Sequence, residues 1–260
     1  LKLARFGRKK ETDFMIIAIA ALVFSAGYIV NVFYITVLYH RGLTHQSVIL
    51  SPKLTKFIGK TGIWVTGIDP KAWACMHRMH HMHSDTELDP HSPQVYGVFG
   101  VALEQLRSYE KVLRKLIKKN QDYTKIVSDI PFEVSRMNRK KLWVIPYAVH
   151  LLIGVLIGYF SGSILIGFAY YFGIISHPVQ GWMVNSLAHK YGYRNFATRD
   201  QSTNNSLVSL LVFGEGYQNN HHARPKRANF AIRSTEIDFG YFLCVAASRT
   251  GILKLRSPGI

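Results

Sequence analysis

The chain has 260 residues, 48% of them hydrophobic and 18% charged, with a formal net charge of +17. Its two cysteines, Cys75 and Cys244, are too few and too isolated for a disulfide framework, so a reducing side is the default for both. No nucleic-acid-binding motif accompanies the charge, which argues against a nucleic-acid partner, and no repeat, low-complexity segment or linker divides the chain, which leaves one domain over 1–260.

The mean hydropathy of +0.06 would look soluble, but the apolar residues are concentrated. Leu1 to Asp13 carries Lys2, Arg5, Arg8, Lys9 and Lys10 and lacks the form of a cleavable signal peptide. A first residue other than Met points to upstream sequence, with room there for another span. Phe14 to Tyr39 contains no Lys, Arg, Asp or Glu. At about 1.5 Å per residue this stretch exceeds a hydrocarbon core of about 30 Å and predicts a spanning helix over about 14–39. The region 40–141 holds 17 Lys and Arg, and amphipathic helices are expected over 100–141. Leu142 to His189 again lacks the four charged residue types and is long enough for two spans. Ser161-Gly162-Ser163 supplies turn chemistry near its middle, so the prediction is a helical hairpin at about 142–160 and 164–188. The region 189–260 carries 10 Lys and Arg and ends in a segment, 230–255, expected to lie near the bilayer surface.

Long basic regions read as cytosolic under the positive-inside tendency. The regions 40–141 and 189–260 then share the cytosolic side, and the basic opening segment lies opposite, against that tendency. The expected fold is all-α: a polytopic membrane protein with a transmembrane helical bundle and a cytosolic helical cap.

Eight of the 12 histidines sit on that cytosolic side in clusters: His40 and His45; His77, His80 and His81; His189; His221 and His222. Imidazole suits iron, copper, nickel and zinc, so the pattern points to a metal. His77, His80 and His81, at i, i+3 and i+4, share one face of a helix and can converge on a metal site. His40 and His45 are about 140° apart on an ideal helix, better placed to reach two neighbouring ions than to grip one, and the adjacent His221 and His222 diverge similarly. Two ions follow. Asp85, Asp89, Asp200 and Glu215 lie within reach to orient ring nitrogens. His150 and His177 are expected to pack within the hairpin, His83 and His91 lie off the ligand face, and Cys75 is expected to be a packed residue. The absence of His-Glu-x-x-His weighs against a zinc hydrolase.

Four motifs carry a resemblance. Tyr39-His40-Arg41-Gly42-Leu43-Thr44-His45 is the first. His77-Arg78-Met79-His80-His81, trailed by Asp89-Pro90-His91-Ser92-Pro93, is the second. Asn185-Ser186-Leu187-Ala188-His189 runs into Tyr191-Gly192-Tyr193-Arg194-Asn195-Phe196, and Gly214-Glu215-Gly216-Tyr217 leads to Asn220-His221-His222. In order and spacing, over roughly residues 30–230, these resemble the membrane fatty-acyl desaturases of the histidine-box type, including bacterial acyl-lipid and acyl-CoA desaturases.

That resemblance implies two iron ions held by His40, His45, His77, His80, His81, His189, His221 and His222, with Asn185 at a position that helps hold a metal-bound water. The last box of the family reads His-x-x-His-His, whereas here Gln218 stands first; its amide offers an oxygen donor or a hydrogen bond to a metal-bound water. The implied activity is oxygen-dependent insertion of a cis double bond into an acyl-CoA or acyl-lipid chain. The implied partners are membrane lipid and an external electron-transfer protein of iron-sulfur or haem type, and the implied location is a membrane, bacterial inner membrane by type. Hydroxylation by a similar iron pair, and a non-catalytic metal- or lipid-binding relative, stay open beside it. Lys190, Arg194, Arg224, Lys226 and Arg227 are candidates for phosphate or donor binding, or for anchoring at anionic lipid. Trp73, Tyr171, Phe172 and Trp182 are candidates to line an acyl tunnel.

Overall fold

The structure is a computed structural model that describes residues 2–256, with side chains described from residue 11 onward. Among the described residues it is mostly helical, and its strands are an antiparallel ribbon of two short segments, β1 (Val48–Ile49) and β2 (Lys254–Leu255), with Val48 opposite Leu255.

The predicted first span lies inside one continuous element. Helix α1 (Lys2–Val32) runs on as a π-helix over Phe33–Thr44, and the stretch Glu11–Thr44 is long and apolar enough to cross a bilayer. The hairpin forms as α7 (Ile145–Ser161) and α8 (Ile164–Ile174), turned by Gly162 in the left-handed region at φ +65°. The expected second arm over 164–188 is not one helix. It breaks after Ile174 and resumes as α9 (His177–Trp182), a π-helical run Met183–Leu187 and α10 (Ala188–Lys190). Pro178 is the cause: it has no N–H to give the Ile174 carbonyl, and that carbonyl accepts from the Asn31 side chain of α1 at 2.8 Å instead.

Helix α8 packs between α1 and α7, and both seams rest on glycine. A Cβ on Gly173 would lie 2.4 Å from the Phe24 carbonyl oxygen, and one on Gly167 would lie 2.3 Å from that of Gly154, so the backbones meet directly. The outward faces are apolar and bare: Phe14, Leu22, Phe160 and Ile164 are each more than two-thirds exposed.

The remaining helices form a cap on the π-helical end of α1. They are α2 (Pro52–Thr66), α3 (Pro70–His83), α4 (Pro93–Ile117), α5 (Gln121–Ile126), α6 (Arg136–Arg139), α11 (Ser206–Leu211), α12 (Gln218–Ala223) and α13 (Phe239–Arg249). Ser51, Asp69 and Ser92 cap the starts of α2, α3 and α4, each followed by a proline whose missing N–H costs nothing in a first turn. The cap's core gathers Val37, Leu38, Tyr39, Ile58, Val112 and Leu116, with Cys75 and Cys244 packed into it as buried free thiols.

Candidate metal centre

The eight histidines meet inside the cap as two groups. His40, His45, His77, His81 and His221 form one, and His80, His189 and His222 the other, with ligand-capable atoms of each group within 4.8 Å of one another. The first group departs from the ideal-helix expectation that His40 and His45 serve different ions. In the π-helical run the hydrogen bonds span five residues, as from His45 N–H to the His40 carbonyl, and this wider turn brings positions five apart onto nearly one face. Their rings lie 4.9 Å apart in the same group. Helix α3 divides its histidines: His77 and His81 join the group of five, and His80 the group of three. His221 and His222, adjacent on α12, diverge into separate groups as expected.

All four carboxylates singled out in the sequence hold a ring nitrogen. Glu215 sits 2.7 Å from His40 Nδ1, Asp89 2.9 Å from His80 Nδ1, Asp200 3.0 Å from His222 Nδ1 and Asp85 3.4 Å from His189 Nδ1. A carboxylate accepts only, so each Nδ1 carries its proton and each Nε2 is left as a lone pair. In the group of five, Nε2 of His221 lies 3.0 Å from that of His40 and 2.9 Å from that of His81, which is 3.1 Å from that of His77. In the group of three, Nε2 of His80 and of His222 is buried with no protein partner. Desolvated imidazole nitrogens converging this closely are ready-made neutral ligands for a cation, so the donor set fits a metal at both places.

Burial, reinforced by the neighbouring imidazoles, holds His45, His77, His81 and His221 well below the usual imidazole range, so they stand neutral and ready to bind. For His80 burial also acts downward, but Asp89, Asp85 and Asp200 together outweigh it and the pKa rises. Asp89 and Asp200 are pressed the other way: burial raises them, yet His80 and His222 hold both below the ordinary carboxylate range.

Gln218, 1% exposed, stands at the group of three. Its Nε2 donates to the Glu215 carbonyl at 2.6 Å, which fixes the amide and turns Oε1 to within 3.4 Å of His189 Nε2. The oxygen therefore faces His189, one of the three imidazoles of that group.

An apolar cavity of about 120 Å³ reaches the group of five, with His40 and His77 in its wall beside Trp73, Met76, Tyr109 and Asn185. Trp73 lies flat against His77, ring centres 5.1 Å apart. Tyr171, Phe172 and Trp182 are not in this wall. The Trp182 indole donates to the Val98 carbonyl at 2.8 Å and braces α4 beside its kink at Gly97, φ +69°. His150 packs as expected, bonded to the Tyr170 hydroxyl and the Trp64 carbonyl. His177 does more than pack, because it lines the cavity. Lys190, Arg194, Arg224 and Lys226 are exposed, with Arg194 tied to the Thr198 and Asp200 carbonyls, while the half-buried Arg227 donates to the Ala231 carbonyl.

Sequence reasoning passed over Arg41. It is fully buried and spends its guanidinium on Glu215 (2.6 Å), Asp238 (2.9 Å) and the Thr36 and Ala228 carbonyls, with Phe230 stacked 3.8 Å away. Glu215 thus holds His40 with one oxygen and Arg41 with the other, tying the first and last histidine motifs to the start of α13. A charged residue directly after an uncharged span was the available signal.

The fatty acid desaturase family pattern matches residues 16–236. An acyl-CoA 5-desaturase of Anemone leveillei is 32% identical over 82% of this chain and 64% of its own length. An sn-1 stearoyl-lipid 9-desaturase of Anabaena variabilis is 33% identical over 78% of this chain and 71% of its own. A hex-5-enoyl-[acyl-carrier protein] acetylenase of Moorena producens is 27% identical over 82% and 69%. The chain spans about two thirds of the length of these relatives. With the family pattern covering most of its length and its histidine motifs gathered at one centre, the chain belongs to the fatty acid desaturase family.

Proposed function

We propose that this chain is a membrane-bound fatty-acyl desaturase that holds two iron ions and places a cis double bond in an acyl-CoA or acyl-lipid chain. The observation that carries the reading is an apolar cavity with His40 and His77 in its wall, both members of a group of five imidazoles, with a group of three beside it. His40, His45, His77, His81 and His221 would hold one ion, and His80, His189 and His222, with Gln218 Oε1 as an oxygen donor, the other. Asn185, in the cavity wall one helical turn before His189, would hold a water near them.

Bound there, iron supplies the oxygen activation needed to remove hydrogen from an unactivated methylene, which no side chain can do. The overall reaction balances when the acyl chain loses two hydrogens, an external iron-sulfur or haem protein gives two electrons, and one dioxygen with two protons becomes two waters. The protein's own part is positional. The four carboxylates fix ring orientation, Trp73 and Met76 confine the chain, and the dry wall keeps bulk water from the reacting carbons.

Membrane insertion is supported by the 34-residue stretch Glu11–Thr44 and by the bare apolar faces of α7 and α8. In this reading α1, α7 and α8 with its continuation form a polytopic bundle, and 40–141 and 189–260 form the cytosolic cap, within a single domain. The exposed Lys190, Arg194, Arg224 and Lys226, with Arg227, would meet an acidic electron donor or a phosphate-bearing head group. Iron analysis with Mössbauer spectroscopy on protein matured with ample iron tests the reading: a coupled pair is expected, and a single mononuclear centre, or zinc alone, overturns it.

A further inference from the structure

Among the described residues, buried polar side-chain atoms without a hydrogen-bond partner sort by place. Those of His45, His80, His221 and His222 belong to the imidazole groups, both ring nitrogens of His91 stand beside His80 and Asp89 at the cavity wall, and Ser209 Oγ is in neither place. Those of Thr36 (Oγ1), His177 (Nδ1) and Gln180 (Oε1) belong to side chains in the wall of the apolar cavity, 0%, 8% and 3% exposed respectively. Native interiors pair nearly all such atoms, so these three, in the same wall as the unpaired nitrogens of His91, mark a place where something else completes the bonding.

The Gln180 amide cannot turn to relieve itself. Asn31 donates its Nδ2 to the Ile174 carbonyl, which leaves Asn31 Oδ1 as an acceptor, and the Ser176 hydroxyl donates to the Gly173 carbonyl, which leaves its oxygen as an acceptor too. Both acceptors take Gln180 Nε2, at 3.3 and 2.7 Å. The amide nitrogen is thereby committed, and Oε1 is the atom left without a partner. His177, three residues earlier on α9, neighbours Gln180 on the helix surface. A plain hydrocarbon filling the cavity would displace water and satisfy neither group, and that penalty is largest where the surroundings are dry.

We propose that the cavity selects acyl chains bearing a hydroxyl group, whose O–H donates to Gln180 Oε1 and whose oxygen accepts from His177 Nδ1–H or the Thr36 hydroxyl. The inference rests on the cavity being the acyl site. A hydroxyl matches the pair because it is a donor and an acceptor at a single atom, as the amide oxygen and the ring N–H require.

The test reads affinity, so that it is separable from turnover. Stearic acid, and C18 acids each carrying one hydroxyl at a different carbon, compete with a fluorescent polyene fatty acid for the purified, iron-loaded protein. At least one hydroxylated acid is expected to bind about tenfold tighter than stearic acid. In Gln180→Leu, and in the near-isosteric Thr36→Val, that preference should fall several-fold, judged on variants whose thermal unfolding matches the parent. Stearic acid binding as tightly as every hydroxylated acid, or a preference that survives both substitutions, overturns the inference. Failure to convert any bound acid to an unsaturated product would instead count against the desaturase reading.

Discussion

Gln218→Leu is the most revealing single change, since it keeps side-chain size and removes every polar contact. Two interactions are lost. The buried Glu215 carbonyl loses the 2.6 Å bond from Nε2, and an unpaired buried acceptor costs about 1–3 kcal/mol of stability. The group of three also loses the oxygen standing 3.4 Å from His189 Nε2. Losing a polar group that supports a metal site typically costs 10–100-fold in affinity, about 1.4–2.7 kcal/mol. The expected result is a protein that keeps the ion of the five-imidazole group and releases the second at least tenfold faster. Gln218→His should keep both ions as firmly as the parent or more so, because an imidazole can occupy the same donor position. Iron per chain, the time course of release to a chelator, and Mössbauer spectra separate these outcomes. A Gln218→Leu protein with two irons and the parent's release rate would refute the assignment of the amide oxygen to the site.

Glu215→Ala should cost about 3 kcal/mol of stability and lower the thermal unfolding midpoint sharply, because it strips a carboxylate from the buried Arg41 while Asp238 still pairs with it; an unchanged midpoint would contradict that role. In the metal-free protein stability should rise with pH between about 4 and 6.5. Burial, partly offset by Asp200, holds His222 at about 4, and burial holds His77, His81 and His221 well down. The folded state therefore binds fewer protons than the unfolded one across that window, its stability is full above about 6.5 and fades toward about 4, and His222 alone contributes on the order of 3 kcal/mol. His80, held up by Asp89 against burial, opposes this trend as a single group, so denaturation midpoints that stay flat or fall with rising pH would refute the sign. Turnover with an acidic electron donor should weaken as salt rises, and charge reversal at Arg224 and Lys226 should mimic it; indifference to both would leave these residues as lipid anchors.

The sequence disclosed the centre better than the path of the chain. Eight imidazoles and four carboxylates were readable because their residue types are rare at the ends of apolar stretches, and the structure gathers all of them. The division among two groups was only half readable, since angular reasoning on an ideal helix misplaces His45 once the backbone turns to a π-helix after Val32. The helix break after Ile174 was foreshadowed by Pro178, but its stabilising partner, Asn31, lies far away in sequence. For the same reason Arg41 escaped notice: its meaning depends on Glu215 and Asp238, which only the folded chain brings to it. The unpaired atoms of Thr36, His177 and Gln180 are properties of the packed cavity and have no sequence signal at all.

The most direct test of the account is the fatty-acid composition of a host of known lipid content that expresses this chain, grown with and without dioxygen, beside the same host expressing His81→Ala. A new cis-unsaturated acyl chain that needs both dioxygen and an intact His81 is the predicted result. An unchanged acyl profile from folded, iron-loaded parent protein supplied with an electron donor, or the same new product from His81→Ala, would contradict it.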